Sequence, residues 1–228
     1  MSYYNESIIS KFAAALEAAK KEVKAGTVKT VSISDGNVKM RKVPSVSILP
    51  FLTCPARCKG TCGPDCYAAK IANLRASVLK SYARNTALAL YRPLKFWADV
   101  ENAVKGVRFF RFHVSGDIVN KEYFANVVDI ATANKHCEIL LFTKRFEIVN
   151  AYIKAFGELP ANLHVLFSGW ENLKPVNPYN LPETNVYSKD TEPAENWLLC
   201  GGNCFECGCR GVGCWQAKKG ETIAFKKH

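Results

Sequence analysis

Apolar side chains recur every three or four residues from Tyr4 to Ala25, at Ile8, Ile9, Phe12, Ala15, Leu16 and Ala19, with Lys and Glu between them. That period predicts an amphipathic helix with one buried face, ended by Gly26. Two β-rich runs follow, Val28 to Ser34 and Val38 to Val43. Asp35-Gly36-Asn37 between them predicts a hairpin turn, since glycine accepts positive φ. A third run, Val46 to Leu49, leads through Pro50 into a loop crowded with cysteine. From Tyr67 to about Val104 the helical period returns, with a break expected near Pro93.

Short apolar runs and helical periods then alternate. Val107 to Val114 predicts a strand ending in Ser115-Gly116-Asp117, and Glu122 to Asn134 a helix. Cys137 to Thr143 predicts a strand ending in Lys144-Arg145, Phe146 to Gly157 a helix, and Leu163 to Phe167 a strand ending in Ser168-Gly169-Trp170. Such alternation means βαβ units, a parallel sheet and right-handed crossovers. Ligands of parallel α/β folds bind at the carboxyl ends of the strands, so the three polar or glycine-containing turns become candidate site residues. Too few units remain to close eight strands, and the expected fold class is α/β, a partial (β/α) barrel or open sheet. Residues 171–198 read as a long loop around one short strand, Asn185 to Ser188. The chain thus divides into an N-terminal helix and hairpin (1–45), a partial barrel (46–198) and a C-terminal cysteine-rich segment packed on it (199–228).

Composition narrows the setting. The 228 residues are 48% apolar and 22% charged, enough for a sizeable core. No apolar run approaches the ~20 residues of a membrane span, and Met1 to Glu22 lacks the pattern of an export signal. The expectation is a cytoplasmic protein without membrane contact. A net charge of +11 suggests an anionic partner, nucleic acid or an acidic host protein. Seven basic side chains face only Asp99 and Glu101 over residues 67–106, and Lys70, Arg75, Lys80, Arg84 and Lys144 are the cations expected to form a contact surface.

In a reducing compartment, closely spaced cysteines are more often metal ligands than disulfides. Nine of the ten fall in two groups. Cys54, Cys58, Cys62 and Cys66 stand at a uniform three-residue gap in a loop between a strand and a helix. Four thiolates suit an iron–sulfur cluster, here expected to be of the 4Fe–4S type, or structural zinc as the alternative. If three of the four bind, one iron is left open for reaction. Cys200, Cys204, Cys207, Cys209 and Cys214 follow within fifteen residues, among glycines that permit tight turns around a metal core. They can close a second cluster, a zinc site, or the coordination of the first group. Cys204, Cys207 and Cys214 are the favoured ligands, with Cys200 or Cys209 as the fourth.

A strand, a cysteine loop ending in Cys66-Tyr67-Ala68 and then a helix resembles the cluster loop of radical S-adenosylmethionine proteins. This loop departs from the usual C-x3-C-x2-C pattern at its third cysteine. A narrower resemblance, over roughly residues 45–228, is to a phage-encoded family called gene product 88. It is carried by Thr53-Cys54-Pro55, Tyr82-Ala83-Arg84-Asn85, Phe110-Arg111-Phe112-His113-Val114-Ser115-Gly116-Asp117, Tyr123-Phe124, Phe142-Thr143-Lys144-Arg145 and the knot ending Cys214-Trp215. The resemblance implies a radical-SAM-like partial barrel in the cytoplasm of an infected or lysogenic host. It implies reductive cleavage of S-adenosylmethionine to act on an unknown substrate.

On that comparison, Ser115-Gly116-Asp117 stands where the radical SAM families hold the amino group of the methionyl moiety. Ser115, Gly116, Asp117, Ser168 and Trp170 become candidate cofactor-binding residues, with Trp170 as a stacking surface. Asp117, His113 and Lys144 become candidate catalytic residues. The bland readings stay open beside these: a helix-capping turn at Ser-Gly-Asp, a solvated helix start at Lys144, and simple packing of Trp170.

Overall fold

A computed structural model describes residues 2–188 and 192–227. Helix α1 (Glu6–Lys24) starts where the Asn5 side chain accepts the Ile8 amide, and it buries Ile8, Phe12, Ala19 and Val23. The expected long helical stretch is three helices: α2 (Tyr67–Leu74), α3 (Ala76–Tyr91) and α4 (Pro93–Lys105). Pro93 opens α4, as its fixed φ and missing N–H favour. The other break falls at Arg75, whose backbone is extended although neither Gly nor Pro marks it. Helices α5 (Lys121–Ala133) and α6 (Phe146–Phe156) follow, and α7 (Cys204–Arg210) lies in the cysteine-rich segment.

The strands are β1 (Ile33–Ser34), β2 (Ser45–Val46), β3 (Phe109–Phe112), β4 (Glu138–Thr143), β5 (Leu163–Ser168), β6 (Glu183–Tyr187), β7 (Leu198–Leu199) and β8 (Thr222–Lys226). They form one sheet in the order β1-β2-β3-β4-β5-β6-β8-β7. Only β1 and β2 pair antiparallel, so the sheet is mostly parallel, and it is open from β1 to β7. The α/β class read from the sequence holds in this form.

The predicted strand Val38 to Val43 is instead a turn at residues 38–42. Asn37 draws the chain round by accepting the Lys39 and Met40 amides at 3.0 and 2.9 Å. Met40 and Val43 are buried while Val38 is 83% exposed, so the strand-like alternation there does not describe the packing. β1 pairs with β2 across this turn. Strand β6 starts two residues earlier than the predicted Asn185, and the sequence reading missed β7 and β8.

Alternation along the central strands builds two cores. Phe110, Phe112, Ile139, Leu141, Val165 and Phe167 face the helices. Phe109, Leu140, Leu166 and Ile223 face the other way, onto Met40, Val43 and Trp215. Trp215 is fully buried there, and its indole N–H donates to the Cys204 carbonyl at 2.8 Å. The cysteine-rich segment therefore covers part of the face that the helices leave bare. No described helix is long and apolar enough to cross a membrane.

Candidate functional site: two thiol groups beside one cavity

The chain leaves β2 at its carboxyl end, turns at Pro50 and enters the first cysteine loop. A short 3-10 turn, Ala56–Gly60, winds this loop back on itself, and the Cys58 carbonyl accepts the Gly63 amide at 2.7 Å. The Cys58 thiol interacts with those of Cys54 and Cys62, so three sulfurs of this loop are neighbours. The Cys54 contact, followed by burial, raises the Cys58 thiol, and the Cys58 contact and burial raise Cys62. Cys66 caps α2, its sulfur accepting the Ala69 amide at 3.5 Å. Burial pushes its thiol up to about 11, against the pull of the helix amides and of Lys144.

The ends of the next strands close on this loop. Gly116 has φ of +84°, and a Cβ there would lie 2.4 Å from Ile48 Cγ1 and 2.8 Å from Thr53 Oγ1. Only glycine lets this turn pack on the segment that leads to Cys54. Asp117 is buried and accepts from the Thr143 hydroxyl, the Lys144 amide and the Ile118 amide at 2.6, 2.9 and 2.7 Å. Asn120, not Asp117, caps α5. Burial raises the Asp117 carboxyl while these donors and Lys144 lower it. Its charge is close enough to Cys58 to disfavour a thiolate there, and Lys144 has the opposite effect on Cys62 and Cys66.

Lys144 is buried, not solvated. Its ammonium donates to Ser168 Oγ at 2.6 Å and lies 5.6 Å from the Trp170 ring centre, as does that of Lys227. Ser115 is buried with a hydroxyl that has no hydrogen-bond partner. His113 does not continue the alternation of β3. Strand β3 ends at Phe112, and the imidazole turns to the helix side, against Phe112 and Tyr123, with Nε2 2.9 Å from the Tyr123 hydroxyl. Burial, then Arg111, depresses it to about 3, so it is neutral. Asp117, Lys144, Ser168 and the first thiols are thus brought together, and His113 is not among them.

In the second group, Cys200, Cys204, Cys207 and Cys214 line one cavity and interact electrostatically with one another; Cys209 is exposed and outside the lining. Burial is the first cause of the raised Cys204, Cys207 and Cys214 thiols, with Cys214 at about 12. Asn203 caps α7 by accepting the Glu206 amide, and Gly208 allows α7 to lie on Phe109, whose ring a Cβ would meet at 2.7 Å.

The cavity has a volume of about 910 Å³ and also reaches Ser168, Gly169 and Trp170. Tyr67 is 44% exposed, and the space it faces is this cavity. Its hydroxyl donates to the Val114 carbonyl at 2.7 Å, and burial raises it, with further contributions from Cys66 and Cys204, one thiol of each group. Tyr67 therefore stands between the two groups. It is the Tyr of the Cys-Tyr-Ala motif, and its position was the available signal.

Among the described residues, no group of three or more His, Cys, Asp or Glu side chains is gathered around one point as a metal ion requires. The donor chemistry still fits a thiolate-ligated cluster. Each group supplies four thiols, glycine-rich backbone, and a cation beside them, Lys144 at the first and Arg111 at the second.

Of the cations expected to form a contact surface, Lys70, Arg75 and Lys80 are exposed. Arg84 is tied to Glu22 at 2.6 Å, and Lys144 is inside.

No curated protein and no solved structure matches the chain. The family model for gene product 88 matches residues 9–222, taking in both thiol groups and every strand end of the site, and the chain belongs to that family.

Proposed function

We propose that this is an iron–sulfur protein whose open parallel sheet forms a radical-SAM-like partial barrel, and that it cleaves S-adenosylmethionine reductively to act on a second molecule. The observation that carries this reading is the set of neighbouring Cys54, Cys58 and Cys62 thiols at the carboxyl end of β2, with Asp117 and Lys144 from the ends of β3 and β4 beside it. Three of the four thiols of Cys54, Cys58, Cys62 and Cys66 would hold a 4Fe–4S cluster and leave one iron without a protein ligand, and Cys200, Cys204, Cys207 and Cys214 would hold a second. The first cluster, once reduced by an external electron donor, would supply the electron and the open coordination site that this reaction needs.

The chain's own residues provide the rest. Lys144 lowers the cost of negative sulfur at Cys62 and Cys66 and is held in place by Ser168. Gly116 lets the turn after β3 pack against the segment that carries Cys54, and Ser115 beside it keeps a buried hydroxyl with no hydrogen-bond partner. Asp117 fixes the turn that carries both.

The test is to purify the chain without oxygen, count iron, sulfide and zinc, and record the reduced spectrum with and without S-adenosylmethionine. Matching iron and sulfide, with a spectrum that changes on addition, is the expected result. Zinc without iron overturns the cluster. An intact cluster with an unchanged spectrum overturns the cleavage reaction and favours a closed, structural role, with Lys70, Arg75 and Lys80 contacting nucleic acid or an acidic host protein. Binding of that kind weakens steeply with salt.

A further inference from the structure

Ser45 and Arg111 are register partners on the parallel strands β2 and β3, and both line the cavity. The Ser45 hydroxyl is buried with no hydrogen-bond partner, and so is Nε of Arg111. A buried polar group left unpaired is destabilising, because it has lost its bonds to water and gained none in return. Two such groups, side by side on the floor of one cavity, mark where a ligand completes the bonding. The Arg111 guanidinium lies 4.6 Å from the Phe142 ring centre, which keeps its planar fork in a fixed orientation.

The surroundings select for charge and shape. Asp65 is the one acid among the described lining residues, and it is already paired with Lys227 at 2.9 Å. The walls carry the rings of Tyr67, Tyr82, Phe142 and Trp170. About 910 Å³ lies within the range of small-molecule sites, which are mostly apolar with a few polar groups that fix orientation.

We propose that the cavity binds a small organic anion: a flat, apolar body carrying one carboxylate or phosphate head, with the head held by Arg111 and Ser45 and the body against the aromatic walls. This site is argued from Ser45 and Arg111 and not from the cluster reading. The rival role for Arg111 is that of a counter-ion, because its charge also favours thiolates at Cys204 and Cys214.

Isothermal titration calorimetry on the full chain, purified without oxygen, separates the two. The probes are 2-naphthoate, 2-naphthyl phosphate and the uncharged naphthalene-2-methanol. One-to-one binding of at least one anion, about tenfold or more tighter than the alcohol, is expected from a charge-assisted contact. Arg111→Met erases that preference, Arg111→Lys keeps part of it, and Ser45→Ala weakens the anion by about threefold or more.

Absence of anion binding, or equal binding of the alcohol, overturns the proposal. So does an Arg111→Met protein that keeps the preference but loses metal, which assigns Arg111 to the thiols. If that variant fails to fold, the comparison of anion with alcohol on the unaltered chain still decides. Metal counts on the same samples report separately on the cluster.

Discussion

The Asp117 carboxylate accepts the Thr143 hydroxyl at 2.6 Å, and its other oxygen accepts the Lys144 amide at 2.9 Å, so one side chain joins the carboxyl ends of β3 and β4. Replacing it by Asn keeps the size but turns an amide N–H₂ toward donors. With the group fully buried, Asp117→Asn is expected to cost about 1.5–3 kcal/mol at neutral pH, measured by denaturant unfolding. A carboxylate that served only to hold a mobile ligand would leave stability unchanged.

Gly116 and Gly60 offer a paired test of the same turn. Gly116→Ala forces a methyl into Ile48 and Thr53 at a positive φ, whereas nothing lies within 4 Å of a Cβ at Gly60. The first is expected to cost about 2–4 kcal/mol and the second less than about 1 kcal/mol. If Gly116 also sets the path of the cysteine loop, its variant loses metal from the first group while Gly60→Ala keeps it. Equal melting temperatures for the two would remove the steric argument.

Much of this architecture is legible in the residues. The units from β3 to β5 carry short, mainly apolar runs with helical periods between them, so their ends fall within a few residues of those expected. Val38 to Val43 misled because its alternation is that of a strand, while the Asn37 side chain supplies a competing local hydrogen-bond pattern. Strand β8 was missed for a different reason. It lies between β6 and β7, and no local pattern announces a pairing made across so much sequence. At the site, the even spacing of Cys54, Cys58, Cys62 and Cys66 on one loop is a feature of the sequence itself. That His113 leaves the strand face, and that Ser45 and Arg111 are neighbours, are consequences of where β3 ends and how β2 registers against it.

The second thiol group discriminates among its own members. Cys200, Cys204, Cys207 and Cys214 share the cavity wall, and Cys209 points away from it into solvent. If a metal is bound there, Cys209→Ser retains the metal content and melting temperature of the parent chain. Cys207→Ser and Cys214→Ser each lose metal from that group and melt lower, since metal-binding free energy is folding free energy in such segments. Metal analysis beside a melting curve reads both. Loss of metal from Cys209→Ser would exchange the assignment of Cys209 and Cys200.

His113 makes the stability of the fold sensitive to acid in a defined window. A free imidazole titrates near 6.5, whereas burial and Arg111 hold this one at about 3. Between those values the unfolded chain takes a proton that the folded chain refuses, so stability falls as pH drops through 6.5 toward 3; above 6.5 the group contributes no pH dependence. The slope is at most about 1.4 kcal/mol per pH unit, or roughly 2–3 kcal/mol between pH 6.5 and 4.5. Asp117 works in the opposite sense, because its raised carboxyl favours the folded state as acid is added. Comparing the parent with His113→Gln cancels that contribution, since Asp117 is present in both, and Gln can still hydrogen-bond the Tyr123 hydroxyl. Denaturant unfolding at pH 7 and pH 4.5 should show the parent losing about 2 kcal/mol more than the variant. Equal losses in the two proteins would mean that the buried imidazole is not what the acid attacks.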